Sequence, residues 1–407
     1  MPIDVRTITD AEVPAWSTAL NIGFLTPAGD VDADLRRAFM ELDRTWAGFD
    51  GDRLIATLRS FPTGLTVPGG GTVPVSAVTC VSTTSTHRRQ GIASRLVRGE
   101  LDATAARGEL ASILIAAEWG IYGRFGYGAA TEHQTFTVDA SAGRLRVSPQ
   151  GTVEYVDRDT ARANVDALYE RHRAGRPGEF TKPAWMWDFE LGLTEFPSRP
   201  APRPSFHVLA RDPSGAVTGY VQYQFDWQGN GRTADGLARV LRLFALDPAA
   251  LALLWRHLLG LDQVTTVRIE DRPADELLPW LLVDPRHARP SDRCDFVWVR
   301  PLDVPGLLTA RRYPVADRLM LEVEDPGGPA GGRYELEGGT GAARCHPTGT
   351  PADLTLDVAV LGSAYLGGYP LRTLAAAGLV AEHTAGAVAR ADAMLRWPVA
   401  PWCSTWF

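Results

Sequence analysis

The chain has 407 residues, 45% of them hydrophobic and 22% charged, and its formal net charge is −7. At about 100–200 residues per domain this length predicts roughly two to four domains, and the acidic balance argues against a nucleic-acid partner, which selects a basic surface. No apolar run reaches the roughly 18 residues of a membrane span, and residues 1–5 lack the basic and apolar regions of a secretory signal, so we expect a cytoplasmic protein.

Residues 1–140 are expected to form a first domain of mixed α and β structure. Apolar side chains recur at helical spacing in three segments, which predicts helices at 11–20, 30–42 and 91–107. Strands are predicted at 54–61, 73–81, 110–116 and 132–139. The apolar run at 110–116 is typical of a strand that is buried on both faces. Residues 141–151 are small and polar and predict a linker.

Residues 152–298 predict a second domain that repeats part of the first. After a Pro-rich segment at 197–204, the patterns predict strands at 219–227, 240–246 and 264–269 and a helix at 248–259. The order strand, turn, helix, strand is also that of residues 73–116, which indicates a degenerate internal copy. Its turn, 246–250, contains no glycine, so we do not expect it to approach a phosphate closely.

Residues 299–407 predict a third domain. A Gly/Pro-rich turn at 326–332 separates two expected strands, and residues 354–361, 371–377 and 384–394 have helical or mixed patterns. The chain ends in an apolar aromatic tail, 402–407. The four cysteines have no CxxC spacing and are predicted to be buried, reduced thiols: Cys80, Cys294, Cys345 and Cys403.

Two segments of the first domain have the residue types of a binding and reaction site. In 81–93 a β-branched strand runs into the basic pair Arg88 and Arg89, and Gly91 stands where the helix begins. Backbone N–H groups at a helix N-terminus bind phosphate, and small residues allow close approach. Taken alone, this pattern also fits an ordinary loop-to-helix junction. The second segment, 118–128, places four glycines and Tyr122 after a buried strand, and it also fits an aromatic packing turn.

Together the two segments resemble the GNAT acetyltransferase superfamily. Residues 88–93, Arg-Arg-Gln-Gly-Ile-Ala, fit its (Arg/Gln)-x-x-Gly-x-(Gly/Ala) coenzyme A motif at every fixed position. The segment 120–128 and the terminal Phe407 narrow the resemblance to the Eis-type (enhanced intracellular survival) acetyltransferases. Further agreement extends it over nearly the whole chain, at 259–262, 344–348, 360–363 and 365–367.

The resemblance implies an α/β fold class (α+β mixed sheets), with tandem GNAT folds followed by a sterol-carrier-protein-like α/β domain. It implies acetyl-CoA as cosubstrate without a metal ion, and a small-molecule or peptide amine, aminoglycosides included, as acceptor. It also implies a homohexamer. From the net charge and the hydropathy, neither nucleic acid nor a membrane is expected as a partner. The family's cofactor contacts map onto Val81, Thr83, Arg88, Arg89, Gly91, Ile92 and Ala93.

By the same resemblance, Tyr122 is the general acid and the terminal carboxylate of Phe407 is the general base of a direct transfer. A phenol suits a departing thiolate, whereas a terminal carboxylate normally has a pKa of about 3.3–3.7. Apolar surroundings raise such a pKa, and Trp402, Trp406 and the Phe407 ring could supply them. We expect His87 to have a structural role, and Cys80 and Cys403 to be packed thiols rather than acyl carriers. Glu118 is a weaker candidate for the general base than the terminal carboxylate.

The predicted acceptor-binding residues depart from the family. The family's positions map onto Phe24, Thr26, Cys80 and Trp406, and acids of aminoglycoside-acetylating members are replaced by Thr26 and Trp406. Asp30 and Asp32 are near in sequence but out of register. A less anionic pocket attracts polycations less, so hydrophobic arylalkyl amines rival aminoglycosides as acceptors. Two hypotheses of another class remain: a coenzyme A-binding protein without catalysis, and lipid carriage by residues 299–407.

Overall fold

Three β-sheets organise the chain in the computed structural model, which describes residues 3–26, 33–195, 203–229 and 234–407. The first part of the chain forms seven strands: β1 Asp4–Thr7, β2 Thr45–Asp50, β3 Arg53–Thr66, β4 Thr72–Thr83, β5 Ala111–Ile115, β6 Gly128–Ala129 and β7 Glu132–Asp139. Its helices are α1 Val13–Gly23, α2 Ala33–Arg37, α3 Ile92–Ala106 and α4 Trp119–Tyr122. The four predicted strands and the helix predicted at 91–107 are confirmed.

The helix predicted at 30–42 is wrong in extent. Its first residues, 30–32, lie outside the described residues, and α2 ends at Arg37. Phe39 follows the helix and stacks on Trp185, with ring centroids 4.9 Å apart. Phe39 and Trp185 are far apart in sequence, so helical spacing of apolar residues could not reveal this contact.

The middle of the chain contains strands β8 Thr152–Val156, β9 Phe206–Arg211, β10 Val217–Trp227, β11 Gly236–Ala245, β12 Val264–Arg272, β13 Ala288–Asp295 and β14 Val297–Pro301. Its helices are α5 Arg158–Arg173, α6 Ala184–Glu190, α7 Pro248–Leu259 and α8 Leu278–Leu281. Most of the predicted Pro-rich segment, 197–204, lies outside the described residues.

The predicted internal copy is confirmed by strand pairing. Strands β4 and β5 are parallel and are joined by α3, and β11 and β12 are parallel and are joined by α7. The two helix N-termini differ. Gly91 caps α3 without a side-chain hydrogen bond, whereas the Asp247 carboxylate caps α7 by accepting from the Ala250 amide at 2.8 Å. A carboxylate already occupies the second N-terminus, which disfavours a phosphate there.

The first two sheets exchange one strand each. The first has the order β1-β2-β3-β4-β5-β14-β6, and the second has the order β13-β7-β12-β11-β10-β9-β8. Strand β7 therefore leaves the first sheet, and β14 enters it beside β5, with Val299 opposite Ile113. The domain boundaries expected at 140–152 and 298 divide the chain into consecutive segments. The sheets do not match these segments, because β7 belongs to the second sheet and β14 belongs to the first.

The last part of the chain contains β15 Asp317–Glu324, β16 Gly332–Gly338, β17 Arg344–Pro347, β18 Leu354–Asp357 and β19 Val380–Glu382 in a sheet of order β17-β16-β15-β18-β19. Its helices are α9 Val304–Ala310, α10 Val358–Tyr365, α11 Leu371–Ala376 and α12 Ala387–Leu395. Helix α10 lies directly on β6 and β14. A Cβ atom added at Gly128 would collide with the Ala359 carbonyl oxygen, and one at Gly362 with the Val299 carbonyl oxygen. This contact fixes the third domain on the first sheet.

All four cysteines are free thiols. Cys403 is buried and Cys80 and Cys345 are half-buried, but Cys294 is exposed, so the prediction of a buried thiol is wrong there. Cys294 lies on β13, the outermost strand of the second sheet, which has β7 on one side only; its Sγ lies 2.7 Å from Nε2 of His133 on β7. Across the described ranges, no helix has both the length and the apolar character needed to cross a bilayer.

Candidate active site

Strands β4 and β5 diverge in the middle of the first sheet. They pair at three positions, of which Ala77 opposite Ile113 is the last, and β4 then continues to Thr83 paired with β3 alone. We call the gap between residues 78–83 of β4 and the end of β5 the β4–β5 cleft. Along it, the edge of β4 has no β5 partner. The predicted cofactor residues Val81 and Thr83 lie on this edge, and the buried Thr83 hydroxyl has no hydrogen-bond partner among the described residues.

A bulge shapes the β4 edge. The register between β3 and β4 shifts between Thr57 and Arg59, so Cys80 and Val81 together oppose one residue of β3. Cys80 has a φ of 57°, a conformation that costs energy for a residue with a side chain, and the Thr57 hydroxyl donates to its carbonyl at 2.8 Å. Such a bulge bends the strand and redirects its edge, which widens the β4–β5 cleft.

The loop after β4 ends in an open helix N-terminus. Gly91 caps α3 at φ 73°, and a Cβ atom there would meet nothing within 4 Å, so the backbone conformation rather than crowding favours glycine. No acceptor is assigned within the described chain to the backbone amides of Ile92, Ala93 and Ser94. Arg88 and Arg89 are exposed beside them. Free amides and two cations at one helix end suit a pyrophosphate.

His87 holds this loop in place. Its Nδ1 lies 2.8 Å from the Thr86 hydroxyl, and its Nε2 lies 3.4 Å from the Asp50 carboxylate at the end of β2. Both ring nitrogens therefore have protein partners. These contacts support the structural role expected for His87.

Tyr122 is the last residue of α4 and is 9% exposed. Its ring packs edge to face on Tyr127, with centroids 6.0 Å apart, and no hydrogen bond to its hydroxyl is assigned within the described ranges. Burial and the nearby Glu118 carboxylate raise the pKa of Tyr122. The phenol therefore stays protonated at neutral pH and can donate its proton. Glu118 itself is exposed just before the helix.

The carboxyl-terminal tail is held by contacts rather than frayed. The Trp402 amide donates to the Pro177 carbonyl at 2.8 Å, and the Ser404 amide donates to the buried Glu179 carboxylate at 3.1 Å. The Phe407 ring packs edge to face on Phe180 at 5.1 Å and on Phe61 at 5.9 Å. Phe61 is opposite Ala77, the last residue of β4 that pairs with β5. The tail therefore brings its last residue to the point where the two strands part.

Of the three rings predicted around the terminus, that of Phe407 packs on Phe61 and Phe180, whereas Trp402 and Trp406 have other contacts. Trp406 is 65% exposed and contacts Phe296 at 5.7 Å, and Trp402 is buried with its indole N–H donating to the Asp271 carbonyl. Phe61 and Phe180 take the place expected for these two rings. Burial raises the pKa of Cys403 well above its usual range, which disfavours the thiolate of an acyl carrier.

The predicted acceptor residues are spread over a more open region. Phe24 is 58% exposed, Thr26 is half-buried, and Cys80 is half-buried in the bulge. Two residues near the terminus were missed: Phe180, which precedes α6, and Arg59, a buried arginine on β3. An arginine inside an apolar strand was a signal in the sequence. Phe180 had none, because only tertiary packing brings it to the first sheet.

Comparisons with known proteins agree with this geometry. Acetyltransferase (GNAT) domain models match residues 4–130 and 178–301, and a sterol carrier protein domain model matches residues 304–404. An uncharacterized N-acetyltransferase of Streptomyces avermitilis is 40% identical over 416 residues, covering 100% of this chain and 99% of that protein. N-acetyltransferase Eis of Mycobacterium tuberculosis is 38% identical over 339 residues, covering 81% of this chain and 80% of that protein. The crystal structure of Eis1 from Mycobacterium abscessus superposes with a TM-score of 0.87 at 30% identity, covering 99% and 100% of the two chains. Within the described residues, no group of three His, Cys, Asp or Glu side chains could hold a metal ion.

Proposed function

This chain belongs to the Eis-type N-acetyltransferases of the GNAT superfamily, and from that premise we propose that it transfers acetyl directly from acetyl-CoA to a primary amine. The observation that carries the proposal is the unpaired edge of β4, which leads into the open N-terminus of α3. A pantetheine arm can pair with such an edge as a further strand would, while the pyrophosphate meets the amides of Ile92 and Ala93. The internal copy cannot serve, because Asp247 caps its helix.

In the proposed mechanism, the amine nitrogen attacks the acetyl carbon, the C–S bond breaks, and two protons move. Tyr122 donates its phenolic proton to the departing thiolate, and the raised pKa of this buried phenol keeps the proton available. The Phe407 carboxylate takes the proton that the ammonium or the attacking amine loses. The rings of Phe61 and Phe180 against Phe407 support this role, because an apolar environment raises the basicity of a carboxylate.

For the acceptor we propose a chemical class, primary amines. Aminoglycosides and arylalkyl amines are the two main candidates within it. The test is a thiol-release screen with acetyl-CoA against a panel of aminoglycosides, arylalkyl amines, amino acids and a lysine peptide. We expect release with one class and a mass increase of one acetyl group in its product. Coenzyme A binding by calorimetry without release for any amine would support the hypothesis of a non-catalytic coenzyme A-binding protein instead. The homohexamer and the cytoplasmic location stay predictions, and light scattering tests the first.

A further inference from the structure

Arg59 is a buried arginine that forms no ion pair with any residue that the structure describes. It lies on β3 opposite Thr79 of β4, and it is 4% exposed. Neither its Nε nor its Nη2 has a hydrogen-bond partner among the described residues. A buried charged donor without an acceptor is strongly unfavourable, so such groups are normally paired. An unpaired one in a native fold points to a ligand that completes it.

The surroundings of Arg59 are aromatic. Its guanidinium carbon lies 5.0 Å from the ring centroid of Phe39, 5.3 Å from that of Trp185 and 5.8 Å from that of Phe61. The partial negative charge on the face of each ring attracts the cation, but the rings accept no conventional hydrogen bond from its N–H groups. Phe39 and Trp185 stack on each other and are only half-buried. The guanidinium therefore lies one aromatic layer below the surface.

Among the described residues, Cys80 and Glu41 attract the charge of Arg59 and Arg36 repels it. The nearby Arg36 is another cation, and it repels the positive charge. Glu41 is attractive, but its carboxylate is paired with Arg44 at 3.1 Å. Burial has the largest effect on the pKa of Arg59 and lowers it, so an anion beside the guanidinium would stabilise its charge.

The position of Arg59 connects it to the proposed reaction site. Residues 59 and 61 of a strand point to the same face, and Phe61 contacts both Arg59 and the Phe407 ring. Arg59 also lies beside the bulge at Cys80, because its partner on β4 is Thr79. This bulge is part of the β4 edge that lines the β4–β5 cleft. A molecule whose amine reaches the Phe407 carboxylate could thus reach Arg59 with a second group.

We infer that Arg59 binds a carboxylate of the acceptor, so that the preferred acceptors are aromatic or apolar amines that also carry a carboxylate, as aromatic amino acids do. Nε and Nη2 lie on one edge of the guanidinium with nearly parallel N–H bonds, which is the fork that a carboxylate accepts with both oxygens. Phe39, Phe61 and Trp185 surround this fork with surface for a flat apolar side chain. The inference rests on the proposed function, because it names the substrate class of that same site.

The kinetic test uses two acceptors that differ by one carboxylate, L-phenylalanine and 2-phenylethylamine, with L-phenylalaninamide as a neutral comparison. We expect the wild-type ratio of kcat/KM for phenylalanine over phenylethylamine to fall roughly 10- to 100-fold in Arg59→Leu, the range of a charged hydrogen bond. Arg59→Lys keeps the charge without the fork and should lose part of the ratio. Comparing ratios cancels the intrinsic difference in basicity between the two amines. An unchanged ratio in Arg59→Leu overturns the inference.

A binding test separates this inference from the proposed function. 3-Phenylpropionate has the carboxylate and the ring but no amine, so it cannot be acetylated on nitrogen. We expect it to raise the melting temperature of the wild-type protein and not that of Arg59→Leu or, if that variant does not fold, Arg59→Met. Stabilisation without turnover of any amine would keep the carboxylate site and remove the acetyl-transfer proposal. Turnover of simple amines without stabilisation by 3-phenylpropionate would keep the acetyl-transfer proposal and remove the carboxylate site.

Discussion

Phe61 and Phe407 meet edge to face with ring centroids 5.9 Å apart, although Phe61 lies on β3 of the first sheet and Phe407 is more than 300 residues further along the chain. This contact determines where the terminal carboxylate can lie. One glycine added after Phe407 would move the carboxylate away from these rings and put an amide in its place. We expect kcat to fall by roughly 100-fold or more, the usual contribution of a general base, with coenzyme A binding unchanged by calorimetry.

The matched variant for this extension is Phe407→Leu. It keeps the terminal carboxylate at the same chain position but loses the ring contacts with Phe61 and Phe180. We expect it to lose less activity than the extension does. If the extended protein is fully active, the terminal carboxylate is not the base.

Removal of the Tyr122 hydroxyl should affect turnover more than cofactor binding. Tyr122→Phe keeps the ring packing on Tyr127 but removes the proton donor, so we expect kcat to fall by roughly 100-fold with little change in the Kd for coenzyme A. Tyr127→Phe is the control, because it removes the hydroxyl of the other ring in the same pair, which is hydrogen-bonded to Ser112 at 2.7 Å. It should cost about 1 kcal/mol of stability and leave kcat unchanged. Equal kcat values in wild type and Tyr122→Phe would remove Tyr122 from the mechanism.

The glycines on either side of α3 make it possible to separate an effect on the proposed cofactor site from a general effect on backbone stability. Gly91 and Gly108 have φ values of 73° and 76°, and a Cβ atom at either would meet nothing within 4 Å. Each substitution by alanine should therefore cost a similar free energy of unfolding, about 1–2 kcal/mol. Only Gly91→Ala places a methyl group at the open amides, so only it should raise the KM for acetyl-CoA. Equal KM values in the two variants would argue against a pyrophosphate at this helix end.

His172 should make the protein sensitive to acid. Burial lowers the pKa of His172 to about 4, while its Nδ1 lies 3.0 Å from the Ala245 carbonyl. In the unfolded chain the ring binds a proton below its ordinary pKa of about 6.5. Between these values the unfolded state holds more protons, so the free energy of unfolding should fall as the pH drops from about 6.5 to 4, by up to about 3 kcal/mol.

Denaturant unfolding at a series of pH values measures this slope. We expect a shallower slope in His172→Gln and an unchanged one in His346→Gln, whose side chain is 58% exposed. A slope that is the same in wild type and His172→Gln would assign the acid sensitivity to other groups.

Local sequence patterns predicted the elements around the cofactor site well. Helix α3 has an apolar stripe and a glycine at each end, and β5 is a short apolar run, so each carries its own signal. The difference between the two helix N-termini was also predicted from the sequence. The first turn contains Gly91, whereas the turn at Asp247 contains no glycine. The short β1 has little pattern of its own. It forms because β2 supplies its hydrogen-bond partners.

The proposed acceptor side of the site could be predicted less well, because its residues come from distant segments. Phe39, Arg59, Trp185 and Phe407 come from four parts of the chain, and no spacing rule connects them. The expectation that Trp406 shields the terminus used its closeness in sequence. In the fold its ring contacts Phe296 and is mostly exposed.

The exchange of β7 and β14 has a consequence for how the protein is made. Strand β14 lies between β5 and β6, so the first sheet is complete only when residues 297–301 have been synthesised. During synthesis, β1 to β5 therefore have an open sheet edge at β5 until β14 is available to pair with it. A fragment that ends near residue 140 would expose that edge permanently, which is a risk for aggregation. The proposed reaction site is thus completed late, after the copy with the glycine-free turn has been translated.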